Sequence, residues 1–144
     1  MAKNLTFSRG MANALITAIQ AYFDAGFLDI YDGTQPANPN NSSGSANLLA
    51  RVDLPADAFD DTASLGAIQL KGSWTEAAAI LNGTATWFRL RESTDTGGAS
   101  TAFVRIDGTC GITAGQFDLV LTSVNVVSGE PVEIDLASLF LPTA

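Results

Sequence analysis

Any chemistry performed by this chain of 144 residues would have to rest on carboxylates, because histidine is absent and Cys110 is the single cysteine. That removes the usual general base, every Ser-His-Asp arrangement and a zinc site of ordinary ligands. The sequence has no G-x-x-x-x-G-K-[ST] loop to cradle phosphates and no G-x-G-x-x-G after a strand. Two sets of acids lie close enough in sequence to weigh as acid/base pairs: Asp57 with Asp60 and Asp61, and Asp29 with Asp32. Glycoside hydrolysis needs two carboxyl groups facing one cleft. Both sets sit at strand ends or beside turn residues, where Asp is favoured for local hydrogen bonding, so the structural reading carries more weight. Neither has the spacing of an EF-hand loop. The expectation is therefore no catalytic residue, no metal and no cofactor.

Binding residues are a richer field. Trp87, Arg89 and Arg91 alternate with Phe88 and Leu90, and aromatic and Arg side chains are the types that anchor protein interfaces. The alternative is an outer strand face whose arginines pair with nearby acids, and the sequence leaves both open. Trp74 and Trp87 are also the aromatics that would build a sugar platform; packing in a core is the commoner role. Cys110 reads as a small buried hydrophobe rather than a link between chains.

These residues must be positioned by a mainly β framework. The one convincing helix spans 8–25. Ala12, Leu15, Ile16, Ile19, Tyr22 and Phe23 recur at steps of three and four, Ser8 is the N-cap and Gly26 the stop. Its apolar face is expected to dock on a sheet, with a subunit contact as the alternative. After Gly26 the period changes to two. Strands are expected at 27–31, at 48–54 with Leu48, Ala50, Val52 and Leu54 inward, at 68–74, at 84–91, and at 101–106 ended by Asp107-Gly108. Residues 117–127 and 131–136 flank a hairpin-like turn at Ser128-Gly129-Glu130. The segment 34–46, rich in Asn, Ser and Pro, reads as a long solvated loop, and 76–81 is either a helical turn or a loop. The fold class that follows is mainly β: an antiparallel β-sandwich, jelly-roll-like, with one N-terminal amphipathic α-helix. It forms a single domain, 1–144, divided into an N-terminal arm (1–7), the helix (8–25) and the sandwich (27–142).

Composition narrows the partners. Seven Lys and Arg against fifteen Asp and Glu leave a net charge of −8. Nucleic acids and anionic membranes are bound through clustered cations, so neither is an expected partner. No apolar run reaches the ~18 residues that span a bilayer. The first seven residues lack the apolar core of a signal peptide, which points to synthesis in the cytoplasm.

Several segments carry a family resemblance. The helix Met11-Ala12-Asn13-Ala14-Leu15 is followed by Leu28-Asp29-Ile30-Tyr31-Asp32-Gly33-Thr34-Gln35-Pro36 and then by Gly83-Thr84-Ala85-Thr86-Trp87-Phe88-Arg89-Leu90. Phe117-Asp118-Leu119-Val120-Leu121 and Val126-Val127-Ser128-Gly129-Glu130-Pro131-Val132 close the series. Together they resemble small virion structural proteins of tailed bacteriophages and prophages. The resemblance implies a head decoration, or cement, protein. Such a protein is non-enzymatic and homo-oligomeric, is made in the host bacterial cytoplasm and sits on the capsid surface, bound to the major capsid protein or other virion proteins. A tail or baseplate component is the first alternative and a carbohydrate-binding module the second. On this reading the partner contacts are Trp87, Arg89 and Arg91, the arm residues Leu5 and Phe7, and the apolar tail Leu139, Phe140 and Leu141.

Overall fold

The computed structural model describes residues 6–60, 67–71, 74–76 and 78–140, with the side chains of all but 67, 68 and 136–140. Ser8 opens the helix as its sequence position implies. Its hydroxyl accepts a hydrogen bond from the Met11 N–H at 3.2 Å, so one of the orphan donors of the first turn is satisfied. The helix, α1, runs Arg9–Phe23. The chain leaves it through Ala25, which takes the left-handed conformation (φ 56°) and donates its N–H to the Pro55 carbonyl at 2.8 Å. Gly26 is therefore not the left-handed stop. A Cβ there would stand 2.4 Å from the Arg91 carbonyl oxygen, so glycine is needed for close backbone approach.

Ten strands follow: β1 (Phe27–Tyr31), β2 (Leu48–Asp53), β3 (Ala67–Gln69), β4 (Thr75–Glu76), β5 (Gly83–Thr84), β6 (Trp87–Arg91), β7 (Arg105–Gly111), β8 (Leu119–Leu121), β9 (Asn125–Val126) and β10 (Val132–Phe140). Seven of them form one sheet in the order β2-β1-β6-β7-β8-β10-β3, with β4 on the side of β10 and a separate β5-β9 pair. Among the described residues every strand pair is antiparallel except β7 with β8. The sheet curls until it is nearly closed into a barrel. The 78–82 loop helps bridge the gap, the Ile80 N–H donating to the Leu49 carbonyl at 2.7 Å. This is the mainly β, one-helix architecture expected from the periodicity, and it is consistent with the sandwich and jelly-roll-like class.

The inward faces share one core. Leu28 and Ile30 of β1, Ala50 and Val52 of β2, Phe88 and Leu90 of β6, and Leu119 and Leu121 of β8 meet Ile16 and Phe23 of α1 there. Four local expectations change. In β2 the register slips by one residue beside Ile30 and Tyr31, so Tyr31 faces Leu48, Ile30 faces Ala50, and Leu49 is the extra residue. Leu49, not Leu48, is then fully buried, and it fits because Gly83 opposite has no Cβ. The strand expected at 84–91 is split: Ala85 and Thr86 bend between β5 and β6, their N–H groups taken by Val124 and Tyr31.

β7 continues through Asp107-Gly108 rather than ending there. Gly108 lies opposite Phe88, whose ring occupies the space a Cβ would need, at 2.7 Å. This glycine makes room inside a strand instead of turning the chain. The hairpin-like turn is real, with the Glu130 N–H bonded to the Val127 carbonyl at 2.9 Å and Gly129 at φ 83°. However, the strand that pairs with β10 is β8, while β9 leaves to join β5.

Candidate functional site

The outward face of β2, β1, β6 and β7 carries an ordered charge layer. Register places Arg51, Asp29, Arg89 and Asp107 side by side across the four strands, and the next row holds Phe27, Arg91 and Arg105. Such cross-strand neighbours are close enough to pair directly. Asp29 takes Arg51 Nε at 2.6 Å on one oxygen and Arg91 Nε at 2.8 Å on the other. Arg89 holds Asp107 by a bidentate fork, Nε and Nη2 each at 2.7 Å. Arg105 grips Asp95 the same way, at 2.5 and 2.6 Å. The remaining guanidinium donors reach carbonyls of the covering loops. Arg89 reaches Asn41 at 2.9 Å, Arg105 reaches Pro39 at 3.0 Å and Gly98 at 2.7 Å, and Arg91 reaches Asp95.

Burial makes this layer unusual. Arg89 is 0% and Arg91 3% exposed, and the side chains of Asp29, Asp95, Asp107 and Arg105 are as deeply covered. Aromatic rings line it: the Arg91 guanidinium lies 4.4 Å above Phe27, and Tyr31 stacks on Trp87 at 4.3 Å. Trp87 also donates its Nε1–H to the Asp32 carbonyl at 2.9 Å. Burial raises the Asp95 carboxyl, but the hydrogen bonds from Arg105 and from the Gly97 N–H outweigh it and hold the group below its ordinary value. The Asp29 side of the layer is felt by its neighbours. Arg51 is raised by its hydrogen bond to Asp29, and Tyr31 is raised by burial and then by the Asp29 charge.

Chemically the layer is closed. Guanidinium groups do not release protons at accessible pH, and each of the three carboxylates is committed to arginine. No group in it is free to act as base, nucleophile or ligand. Its effect is to bolt the 34–46 and 92–104 loops onto the sheet through their carbonyl oxygens.

The sequence-derived contact residues fall out differently. Trp87, Arg89 and Arg91 lie together, as expected, but inside the subunit. They are turned under the loops, and Arg89 and Arg91 are neutralised by acids, so they do not present an anchor to a partner. The pairing alternative describes them correctly; what the sequence hides is the cover. Trp74 is also buried, edge-on to Phe59 at 5.1 Å, so neither tryptophan forms an open sugar platform. Phe7 is half-buried. Leu139 and Phe140 belong to β10, where their backbone pairs with Ile68 and Ala67, so this part of the tail is built into the subunit's own sheet. Leu5, Leu141 and the rest of the arm up to residue 5 lie outside the described residues. Of the acid sets, Asp29 is in the layer, Asp32 accepts from the Asn47 backbone and side chain, and Asp57 pairs with Lys71 at the surface. Asp61 lies outside the described residues.

The apolar face expected on α1 is divided between sheet and exterior, and a second exposed apolar surface was not singled out by the sequence. On α1 the sheet takes Ala12, Ile16, Ile19 and Phe23, while Met11, Leu15 and Tyr22 stay 38–55% exposed. Ile80, Leu81 and Val127 are exposed on two loops locked together: the Ser128 N–H bonds to Asn82 Oδ1 at 2.8 Å, and Ser128 Oγ donates to the Ile80 carbonyl at 3.1 Å. The signal was present in the adjacent apolar pairs Ile80-Leu81 and Val126-Val127, since neighbouring residues on extended chain cannot both face one core. Thr75, Thr122, Glu133, Ile134 and Asp135 line a cleft of about 300 Å³. Comparison with known proteins finds no matching family model, no matching curated protein and no matching solved structure.

Proposed function

We propose that this chain is a non-enzymatic structural subunit of a tailed-phage virion that decorates the assembled head lattice and stabilises it. One observation carries the reading: large apolar side chains stand exposed on α1 and on two hydrogen-bonded loops, while the arginine–aspartate layer is sealed within. Two separate surfaces, on α1 and on the Ile80–Val127 loops, suit a protein that touches more than one neighbour. Exposed apolar residues grouped on fixed elements are the usual mark of protein contact. A subunit that binds the assembled shell but not its parts stabilises the shell by mass action, and lattice symmetry repeats each weak contact many times.

The test is the amount of this protein in purified particles, measured by quantitative gel against the major capsid protein. Hundreds of copies per particle support the head-decoration role. A few to a few tens move the chain to the tail or baseplate, and none overturns the virion reading. A companion variant, Ile80→Glu with Val127→Glu, is expected to lower occupancy on the shell at least tenfold without altering the subunit's own unfolding curve.

A further inference from the structure

The 34–46 loop lies closed over the sheet without burying a side chain. Every residue in it is exposed or half-buried, and none is charged. Among the described residues, three hydrogen bonds join it to the rest of the molecule, and they fall on successive carbonyls. Pro39 accepts from Arg105 Nη1 at 3.0 Å, Asn40 from the Ser100 N–H at 2.8 Å and Asn41 from Arg89 Nη1 at 2.9 Å. Its other bonds are internal: the Asn40 and Asn41 N–H groups donate to Asn38, and that of Ala46 donates to Ser43.

The 92–104 loop is held differently. Asp95 is 3% exposed, and its carboxylate takes the Arg105 fork at 2.5 and 2.6 Å and the Gly97 N–H at 2.7 Å. The Asp95 carbonyl accepts from Arg91, the Gly98 carbonyl accepts from Arg105 at 2.7 Å, and Val104 packs against the core. Glu92 closes the base, its N–H donating to the Val104 carbonyl and its Oε1 accepting from the Val104 N–H. None of these contacts involves 34–46. The bond between the two loops is the one from Ser100 to Asn40.

From this we infer that the two loops form a strap that closes in order: 92–104 shuts on the sheet by itself, and 34–46 shuts only upon it. The dependence runs one way. Lifting 34–46 costs the inner loop one backbone bond, at Ser100, and leaves the Asp95 grip whole. Lifting 92–104 removes the Ser100 donor and takes the carboxylate away from Arg105, whose guanidinium then loses the anchor that aims it at Pro39. Two of the three ties of 34–46 go with it. The remaining Arg89 bond does not offset the entropy of ordering a loop rich in Ser and Asn that buries nothing. The openings are therefore nested local events: a molecule with 92–104 open also has 34–46 open, but not the reverse. A free subunit has this order of closure whether or not it joins a virion.

Hydrogen exchange of the full chain, read by NMR at single amides as protection factors, tests the order. Asn40 and Asn41 report on 34–46, and Asp95 and Gly97 report on 92–104, since each donates a bond inside its own loop. In the wild type Asn40 and Asn41 are expected to be less protected than Asp95 and Gly97; the reverse ranking overturns the order. Ser42→Gly with Ser45→Gly loosens the outer loop at exposed or half-buried positions away from its three ties. Protection at Asn40 and Asn41 is expected to fall roughly threefold or more, with Asp95 and Gly97 within about twofold of wild type. An equal fall in both loops overturns the one-way dependence. Asp95→Asn, at a side chain that bonds to no residue of 34–46, is expected to lower Asn40 and Asn41 by roughly tenfold or more, because the charge-assisted fork on Arg105 is lost. Wild-type protection there overturns the link through Arg105. Should that variant fail to fold, the wild-type ranking and the glycine variant decide.

Discussion

Replacing Asp107 by Ala strands the Arg89 guanidinium. The carboxylate supplies both of its fork contacts, and with 0% exposure Arg89 has no route to water. One bond, to the Asn41 carbonyl, survives. Breaking a buried pair from one side costs about 3–5 kcal/mol, because the orphaned charge keeps its desolvation penalty. Set against a total stability of roughly 5–15 kcal/mol, this is a large share, and at ~3 °C per kcal/mol for a chain of this size it lowers Tm by about 9–15 °C. Arg89→Met is expected to be milder, since the Asp107 carboxylate it leaves behind also feels the field of Arg105. The double variant Arg89→Met/Asp107→Ala removes both charges, and its loss is expected to fall well short of the sum of the single losses. Urea unfolding of the four proteins measures the cycle. A loss below about 1 kcal/mol for Asp107→Ala refutes the sealed layer, since it means that Arg89 finds solvent. Strict additivity refutes the pair as a unit.

Three further outcomes follow from the same geometry. Gly26→Ala puts a methyl group 2.4 Å from the Arg91 carbonyl oxygen and 2.9 Å from that of Phe23, both backbone atoms that cannot step aside. A loss of roughly 3 kcal/mol is expected by thermal melt, and a wild-type melt contradicts the close approach. Asp95 is held below its unfolded value, so it contributes stability that is fully present above about pH 4 and is lost as pH falls through its lower folded value. The hydrogen-exchange protection factors of the 34–46 and 92–104 loops, each rate taken relative to the intrinsic rate at the same pH, are therefore expected to fall on acidification, and equal protection factors down to pH 2 count against the bolt. Cys110, raised to about 12 and buried, is expected to be inert to a thiol reagent at pH 8 and to react only on unfolding.

Much of the frame was legible because helical and strand periods are local properties. Ser8 declared the start of α1, and Leu28 with Ile30 declared the inward face of β1. What misled was every residue whose reason is non-local. Asp107-Gly108 has the composition of a turn, yet Asp107 is a partner for Arg89 eighteen residues away and Gly108 is a socket for Phe88. The bulge at Leu49 shifts the start of β2 out of the simple alternation, and no residue in β2 announces it. On α1, Leu15 and Tyr22 belong to the apolar arc by spacing, yet they stay 38% and 55% exposed because only Ala12, Ile16 and Phe23 are buried. The charged alternation Arg89-x-Arg91 was read correctly as one face, but a period of two cannot say whether a loop thirty or more residues away folds back over it.

The cover over that face sets how rigidly its side chains are held. A four-stranded segment with aliphatic residues on one side and arginines on the other would ordinarily leave the second side wet and adaptable. Here the second side is a covered network of forks and rings, and the 34–46 loop, uncharged throughout, is fixed to it by Arg89 and Arg105. Buried ion pairs contribute little net stability compared with well-packed apolar residues, but they tolerate few alternative geometries. The layer therefore spends arginine on shape. It fixes β1, β2, β6 and β7 against the two covering loops, and with three of the seven cations buried it leaves the exterior predominantly acidic.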